Sequence, residues 1–256
     1  MEFSEIRDKA KPYFLEGNCG KLAILIHGFT GTPHDLKELG EFLNSQGISV
    51  CAPLLPGHGR VDWKDLEKVT QKDWEIAIEE EVKSHFNMYD EIYLIGYSFG
   101  ANLAFNVAVK YPDKIKGVIS LGISIFLRRD GMIRKILPLF HALYGKYRKR
   151  YIKKKHLAEY EETGSYAKIP TKSIYELYKF IDNVTSRDLT KVCLPTLIIH
   201  SRNDKVTHYK SSQYVHDKIC SKRKELIIID DINHNPLNSK TKDIIFDRIK
   251  KFIISG

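Results

Sequence analysis

The pattern G-x-S-x-G occurs at residues 96–100, with Ser98 between Gly96 and Gly100. The apolar run "EIYLIGY" (91–97) leads into it, and a good helix former follows it. Two interpretations are open. The glycines belong to an ordinary turn, or they clear space around a serine held on a strained strand-to-helix turn with its hydroxyl projecting from the sheet. In the second case Ser98 is a nucleophile, and the N-terminus of the following helix favours the negative charge that develops beside it.

A serine hydroxyl needs a neighbouring base, and the base needs a third group to orient it. With a serine on this kind of turn, the acid and then the histidine follow it along the chain, each after a later strand. The run "LIIHSRNDKV" (197–206) places Asp204 after one strand, and "LIIIDDINHNPL" (226–237) places His234 after the next. The carboxyl ends of parallel strands meet at one edge of a sheet. We therefore predict that Ser98, Asp204 and His234 are catalytic.

Other polar residues near these positions have simpler interpretations. His200 lies inside a strand run and is expected in the core or at the sheet edge, whereas His208 and His216 are expected to be exposed on a helix. His58, in "LPGHG" (55–59), is expected to organise a loop under the site rather than to take part in catalysis. Asp230 and Asp231 are expected only to shape the loop that carries His234.

An oxyanion hole needs two backbone N–H groups aimed at the reacting carbonyl oxygen. One is expected from Phe99, the residue after the nucleophile, and the other from Phe29 in "HGFTG" (27–31), which follows the first core strand. Gly28 and Gly31 would let this loop turn an amide inward. The alternative is a generic glycine-rich turn. A phosphate cradle is disfavoured because the chain has no G-x-x-x-x-G-K-[ST] pattern.

These groups must be positioned by the elements around them. Continuous apolar runs, typical of strands buried on both faces of a parallel sheet, occupy 21–28, 47–53, 91–97, 116–122, 195–201 and 225–230, with a further short strand possible at "PYFLEG" (12–17). Helical patterns occupy 33–46, 71–87, 100–110, 207–220 and 239–254. This alternation predicts an α/β fold with a mostly parallel central sheet flanked by helices.

The alternation stops once, in the segment 124–186, where the sequence shows helix-like stretches and no convincing strand. Sixty residues is too long for an ordinary crossover between strands. We therefore predict an inserted helical cap, or lid, at 124–186 and a core formed by 1–123 and 187–256. A chain of 256 residues suits one such domain with an insertion.

Taken together, these motifs resemble serine hydrolases of the α/β-hydrolase fold, and more narrowly their bacterial carboxylesterase and monoacylglycerol lipase branch. The segments that carry the resemblance are "ILIHGFTGTPHDL" (24–36), "CAPLLPGHG" (51–59), "KDWEIAIEEEV" (72–82), "IGYSFGANLA" (95–104), "NDKVT" (203–207) and "NHNPL" (233–237). They are spread over most of the chain in the order typical of the branch.

The resemblance implies ester hydrolysis through a covalent acyl-enzyme, with no metal and no cofactor. The substrate would be a small ester, possibly a lipid monoester, bound in an acyl pocket that the cap shapes. A thioesterase, an acyltransferase or a peptidase would use the same three residues. A non-catalytic lipid-binding protein of this fold would have lost a member of the triad or an oxyanion glycine, and this chain keeps them all.

The charge of the chain is concentrated in one segment. The segment from Arg128 to Lys155 contains eleven Lys and Arg and one acidic residue, so its charge is 11 − 1 = +10. Because the net charge of the whole chain is +9, the residues outside this segment are together near neutral, at 9 − 10 = −1. One basic segment in a balanced chain disfavours nucleic-acid binding. It is either a solvated surface of the cap or a weak contact with an anionic membrane surface.

The four cysteines, Cys19, Cys51, Cys193 and Cys220, are scattered and form no C-x-x-C pair. Scattered cysteines favour reduced, mostly buried thiols over a disulfide framework or a zinc site. The first residues mix charges and lack an apolar stretch, so the sequence predicts no signal peptide and a cytoplasmic location.

Overall fold

A computed structural model of the chain describes residues 2–128, 131, 134, 145–148 and 157–255. The strands formed by these residues are β1 (Tyr13–Leu15), β2 (Lys21–Ile26), β3 (Ser49–Ala52), β4 (Glu91–Tyr97), β5 (Ile115–Leu121), β6 (Lys146–Arg148), β7 (Lys168–Pro170), β8 (Thr196–Ser201) and β9 (Lys224–Ile229). The α-helices are α1 (Lys37–Ser45), α2 (Gln71–Ser84), α3 (Phe99–Lys110), α4 (Leu157–Glu162), α5 (Thr171–Phe180), α6 (Ser186–Asp188), α7 (Lys210–Lys218) and α8 (Lys242–Ile254), and a π-helical turn at Ile181–Thr185 joins α5 to α6.

Seven strands form one sheet in the order β1-β3-β2-β4-β5-β8-β9. The edge strand β1 runs antiparallel to β3, and every other neighbouring pair in this sheet is parallel. The prediction of a mostly parallel sheet flanked by helices is therefore confirmed. The short strand considered at 12–17 is β1.

The central strands of the sheet are buried on both faces, and most of their positions are apolar. In β2, Leu22, Ile24 and Ile26 belong to the core that also contains residues of α2 and α3. Ala23 and Leu25 belong to the core that also contains residues of α1 and α8. Successive side chains of a strand point to opposite faces, so one unbroken apolar run supplies both layers.

The segment 124–186 contains two strands that the sequence did not predict. β6 pairs antiparallel with β7, so the expectation of no strand in this segment was wrong. Each strand is three residues long, too short to produce a periodic pattern. Of the basic stretch 128–155, residues 129–130, 132–133, 135–144 and 149–155 lie outside the described residues. No helix in the described part of the chain is long and apolar enough to cross a bilayer.

The expectation of reduced, mostly buried thiols needs correction. Cys193 and Cys220 form a disulfide, although they lie 27 residues apart in sequence, and Cys19 is exposed. The fold brings the loop before β8 against the chain that follows α7, and the Cys220 amide donates a hydrogen bond to the Val192 carbonyl at 2.9 Å. This proximity is tertiary, so the spacing of the cysteines did not reveal it.

Candidate active site

Ser98 lies between β4 and α3 in a left-handed backbone conformation, with φ 54° and ψ −116°. A non-glycine residue in this region is strained unless its surroundings hold it there. The turn is tight enough that a Cβ at Gly96 would collide with the backbone of Gly100 and Ala101, and a Cβ at Gly100 would collide with the carbonyl of Ile26. The flanking glycines are therefore required by close packing, which excludes the ordinary-turn interpretation.

The three predicted catalytic residues lie together at the carboxyl edge of the sheet. His234 Nε2 lies 2.8 Å from Ser98 Oγ, and His234 Nδ1 lies 2.6 Å from Asp204 Oδ2. Because an ionised carboxylate can only accept, His234 must carry its proton on Nδ1, which leaves Nε2 free to accept the Ser98 proton. The arrangement can therefore deprotonate the serine hydroxyl.

The carboxylate of Asp204 is fully buried and heavily hydrogen-bonded. Its Oδ1 accepts from the amides of Val206 and Thr207 at 2.7 and 3.1 Å, and its Oδ2 accepts from the Thr207 hydroxyl at 2.9 Å. Burial by itself would raise the pKa of Asp204, but hydrogen bonds from His200 and His234 hold that pKa well below its ordinary range. Asp204 is therefore ionised across the range in which esters are commonly assayed.

His200 is one of two neighbours of the triad that the sequence interpretation missed. It lies in the core, as expected, but its Nε2 lies 3.2 Å from Asp204 Oδ2, and its Nδ1 lies 2.7 Å from the hydroxyl of Ser212. The sequence signal for this contact was the position of His200, four residues before Asp204 and near the end of the strand that precedes it.

Ser124 is the second such neighbour, with its hydroxyl 3.0 Å from Ser98 Oγ. Asn102 on α3 donates from Nδ2 to the Ser124 carbonyl at 3.0 Å and to the Thr185 hydroxyl at 3.1 Å. This network connects Ser98 to the beginning and the end of the segment 124–186. The available signal was the position of Ser124 just after β5, at the edge where the other site residues gather.

The loop at 27–31 lies directly against the serine turn. A Cβ at Gly28 would lie 3.1 Å from Ser98 Cβ, and the rings of Phe29 and Phe99 pack edge to face with centroids 6.3 Å apart. Within the part of the chain that the structure describes, neither the Phe29 nor the Phe99 amide donates to a protein acceptor. Gly31 closes the turn by donating from its amide to the Gly28 carbonyl at 3.0 Å.

His27 fixes the other side of this loop. The Leu55 amide donates to His27 Nε2 at 3.0 Å, so the ring carries its proton on Nδ1, which lies 2.9 Å from the Gly28 carbonyl. Burial lowers the pKa of His27 to about 4. The neutral ring therefore links the loop to the segment after β3. The His58 ring packs against this loop, with its centroid 5.2 Å from that of the His27 ring and 5.9 Å from that of the Phe29 ring. These contacts are in keeping with its expected structural role.

Comparison with known proteins gives the family of the chain. Residues 18–241 match the family model described as Hydrolase_4: Serine aminopeptidase, S33. The chain belongs to this family. It is 30% identical to a thermostable monoacylglycerol lipase of Bacillus sp. (strain H-257) over 95% of this chain and 94% of that protein. It is 25% identical to a carboxylesterase of Bacillus subtilis (strain 168) over 95% of this chain and 96% of that protein.

Among solved structures, one from work on the metagenome-derived lipolytic enzymes LipS and LipT superposes with a TM-score of 0.86. It covers 98% of this chain and all of that chain at 23% sequence identity, so the likeness concerns the fold. The resemblance to the carboxylesterase and monoacylglycerol lipase branch is confirmed, as is the α/β-hydrolase fold.

The remaining polar residues of this chain that the sequence analysis considered lie around the three predicted catalytic residues rather than among them. Asp231 accepts the Asn233 amide at 2.7 Å and so shapes the loop of His234, as expected. His208 precedes α7, is half-buried and donates its amide to the Phe126 carbonyl. His216 lies on α7 and is also half-buried. The expectation that these two histidines are exposed on a helix was therefore too simple. Tyr97 packs its ring against that of His234, with centroids 5.2 Å apart.

Proposed function

We propose that this protein hydrolyses carboxylic esters with Ser98 as nucleophile, His234 as general base and acid, and Asp204 as the group that orients the imidazole. The observation that carries the proposal is the continuous pair of hydrogen bonds from Asp204 through His234 to Ser98. A serine ester hydrolase is the class of enzyme that its family and its relatives over the whole chain support.

The reaction proceeds in two halves. His234 Nε2 removes the Ser98 proton while Oγ bonds to the ester carbonyl carbon, and the carbonyl electron pair moves onto oxygen. The imidazolium, stabilised by Asp204, then gives its proton to the leaving alcohol as the ester C–O bond breaks. Water attacks the acyl-enzyme in the same way, which releases the carboxylic acid and restores Ser98.

The amides of Phe29 and Phe99 are proposed to hold the oxyanion. Their positions beside Ser98 and their lack of a protein acceptor among the described residues support this role. Donors of this kind are worth about 10²–10³-fold in rate each. Gly28, Gly31, Gly96 and Gly100 are proposed to support the two turns, since a Cβ at any of them would crowd a neighbouring group.

We propose a lipid monoester as the substrate class, with the segment 124–186 acting as a cap over the acyl pocket. Phe180 and Ile181 from this segment are fully buried in the same apolar core as Phe99, and the rings of Phe180 and Phe99 pack edge to face with centroids 5.3 Å apart. These contacts anchor the end of the segment 124–186 against the turn that carries Ser98, which supports its proposed role as a cap.

Labelling with a fluorophosphonate tests the nucleophile. The folded protein should take up one equivalent at Ser98, identified by mass spectrometry of the peptide. Ser98→Ala should lose labelling and several orders of magnitude of esterase rate, whereas Ser124→Ala, which removes a hydroxyl 3.0 Å away, should still be labelled. A folded wild-type protein that stays unlabelled would favour the non-catalytic lipid-binding alternative.

A substrate panel separates the remaining rivals. p-Nitrophenyl esters and monoacylglycerols should be hydrolysed with the highest kcat/KM. Faster turnover of acyl-thioesters would indicate a thioesterase. Acyl transfer to an added alcohol in preference to water would indicate an acyltransferase, and faster turnover of aminoacyl anilides would indicate a peptidase.

The basic stretch 128–155 is proposed to make a weak contact with anionic lipid surfaces, supported by its net charge of +10 within the sequence. Co-sedimentation with liposomes should increase with the anionic lipid fraction and decrease with salt. Binding that ignores both would contradict an electrostatic contact and leave the stretch as a solvated surface.

The cytoplasm is proposed as the location, and the state of Cys193 and Cys220 in cells tests it. Disulfides persist mainly in oxidising compartments. Although Cys193 and Cys220 are joined in the described structure, alkylation of intact cells followed by mass spectrometry should find both as thiols if the protein is cytoplasmic, with the bond forming only on oxidation outside the cell. Complete oxidation of the pair in cells would contradict this location.

A further inference from the structure

We propose that Cys51, Glu81 and His85 form a binding site for Zn²⁺ on the face of the sheet covered by α2. Cys51 belongs to β3, Glu81 lies on α2, and His85 caps the C-terminus of the same helix. The three side chains offer a sulfur, a carboxylate oxygen and a ring nitrogen that all lie within 4.8 Å of one another. This site is separate from the proposed catalytic residues.

The distances between these atoms are close to those around a bound metal. Glu81 Oε1 lies 3.2 Å from Cys51 Sγ and 3.2 Å from His85 Nε2. Ligands at 2.0–2.3 Å from a tetrahedral zinc are separated from one another by about 3.3–3.7 Å. Glu81 Oε1 therefore needs to separate by only a few tenths of an ångström from Cys51 Sγ and from His85 Nε2 to admit the ion, and those two atoms lie within 4.8 Å of each other.

The backbone and the neighbouring rings hold the ligands in place. Glu81 and His85 are four residues apart and so lie on one face of the helix. The His85 ring stacks on that of Phe14 in β1, with centroids 6.2 Å apart, and also packs against Tyr89. Such restraint lowers the entropy that is lost when a ligand is bound.

The types of ligand select the metal. A thiolate with an imidazole favours Zn²⁺ over Mg²⁺ or Ca²⁺, which take oxygen ligands. Cys51 and His85 are buried, whereas the Glu81 side chain is 36% exposed. The carboxylate side therefore offers a path for the ion and for water as a fourth ligand.

Binding at this site would join the end of α2 to strand β3. The first turn of α2 carries Trp74, whose ring packs edge to face on the rings of Phe29 and Phe99. The ion would thus stabilise the helix that supports the oxyanion loop without touching the catalytic atoms. We expect a higher Tm with zinc and little change in kcat.

The test uses the full-length enzyme, stripped with a chelator and titrated with Zn²⁺ in competition with a chromogenic indicator. One equivalent should bind, Mg²⁺ should not compete, and Tm should rise with zinc concentration. With Co²⁺ in place of zinc, a thiolate-to-metal absorption band should appear. No stoichiometric binding by the folded wild-type protein would overturn the proposal.

Three variants locate the site. Cys51→Ser and Glu81→Gln should each weaken zinc binding at least about tenfold, and Cys51→Ser should abolish the cobalt–thiolate band. Glu81→Gln keeps the size and a hydrogen-bond acceptor, so it covers the case in which Cys51→Ser folds poorly. Cys19→Ser removes the exposed thiol and should bind zinc like the wild type. Binding that survives Glu81→Gln and Cys51→Ser, or that is lost when Ser98 is labelled, would place the ion elsewhere and refute the proposal.

Discussion

His200 and Asp204 form a fully buried pair, in which the histidine Nε2 lies 3.2 Å from the carboxylate Oδ2 that also contacts His234. The carboxylate thus lies between two imidazoles, one in the core and one facing the nucleophile. Because an unshared buried charge is costly, the inner histidine stabilises the ionised form of Asp204 as well as its orientation.

Replacing His200 tests this support. We expect His200→Phe to lower kcat about tenfold with little change in KM, because Asp204 loses one donor and about 1.4 kcal/mol of orientation and charge stabilisation. His200→Gln, whose amide can donate in the same place, should recover most of the rate. His216→Gln on α7 is the control. Equal losses in the Phe and Gln variants would contradict a hydrogen-bonding role.

Gly28 offers a test of the oxyanion loop. In Gly28→Ala the new Cβ would lie 3.1 Å from Ser98 Cβ and 3.2 Å from the Tyr97 ring, so the loop must shift. We expect kcat/KM to fall by about 10²-fold with a small change in Tm, because one donor is displaced. Gly131→Ala is a matched control, since a Cβ there meets none of the described residues within 4 Å. A Gly28→Ala variant with normal kcat/KM would exclude this loop from the oxyanion hole.

Stability should depend on pH through His27. Burial lowers the pKa of His27 to about 4, whereas in the unfolded chain a histidine titrates near about 6.5. Between these values only the unfolded state takes up the proton, so the free energy of unfolding should fall as pH decreases from 6.5 to 4. The loss should reach about 3 kcal/mol at the lower end.

Denaturant unfolding across this range measures the effect, with His27→Gln as the comparison. Glutamine keeps a donor and an acceptor but does not titrate, so the variant should be less stable at neutral pH and should lose less stability on acidification. Parallel pH dependence in the two proteins would assign the effect to other groups.

The disulfide should contribute to stability. Closing a loop of 27 residues is worth about 3.5 kcal/mol in the chain-entropy treatment. We expect reductant to lower Tm by roughly 10 °C. The double variant Cys193→Ser with Cys220→Ser should show the lower Tm without reductant and no further response to it. Cys19→Ser should respond like the wild type. A Tm unchanged by complete reduction would contradict the prediction.

The sequence predicted the parts of the molecule whose signals are local. Long apolar runs bounded by turns gave strands such as β4 at its observed bounds, and position after a strand identified Asp204 and His234 as the residues that meet Ser98. The remaining features depend on contacts between distant segments. Ser124 reaches Ser98, and Cys193 reaches Cys220, only after the sheet has formed, and three-residue strands such as β6 carry no period that could reveal them.

Ser98 and His234 follow two strands that lie far apart in the sequence, β4 and β9. Ser98 and His234 are 136 residues apart, and among the described strands β9, which precedes the histidine, pairs with β8 alone. During synthesis the N-terminal part of a chain emerges first. A nascent chain would therefore carry Ser98 through the synthesis of the next 136 residues before His234 is added, and we expect esterase activity to begin only when the last strand docks. The rate at which esterase activity recovers during refolding should therefore report the rate at which the sheet is completed.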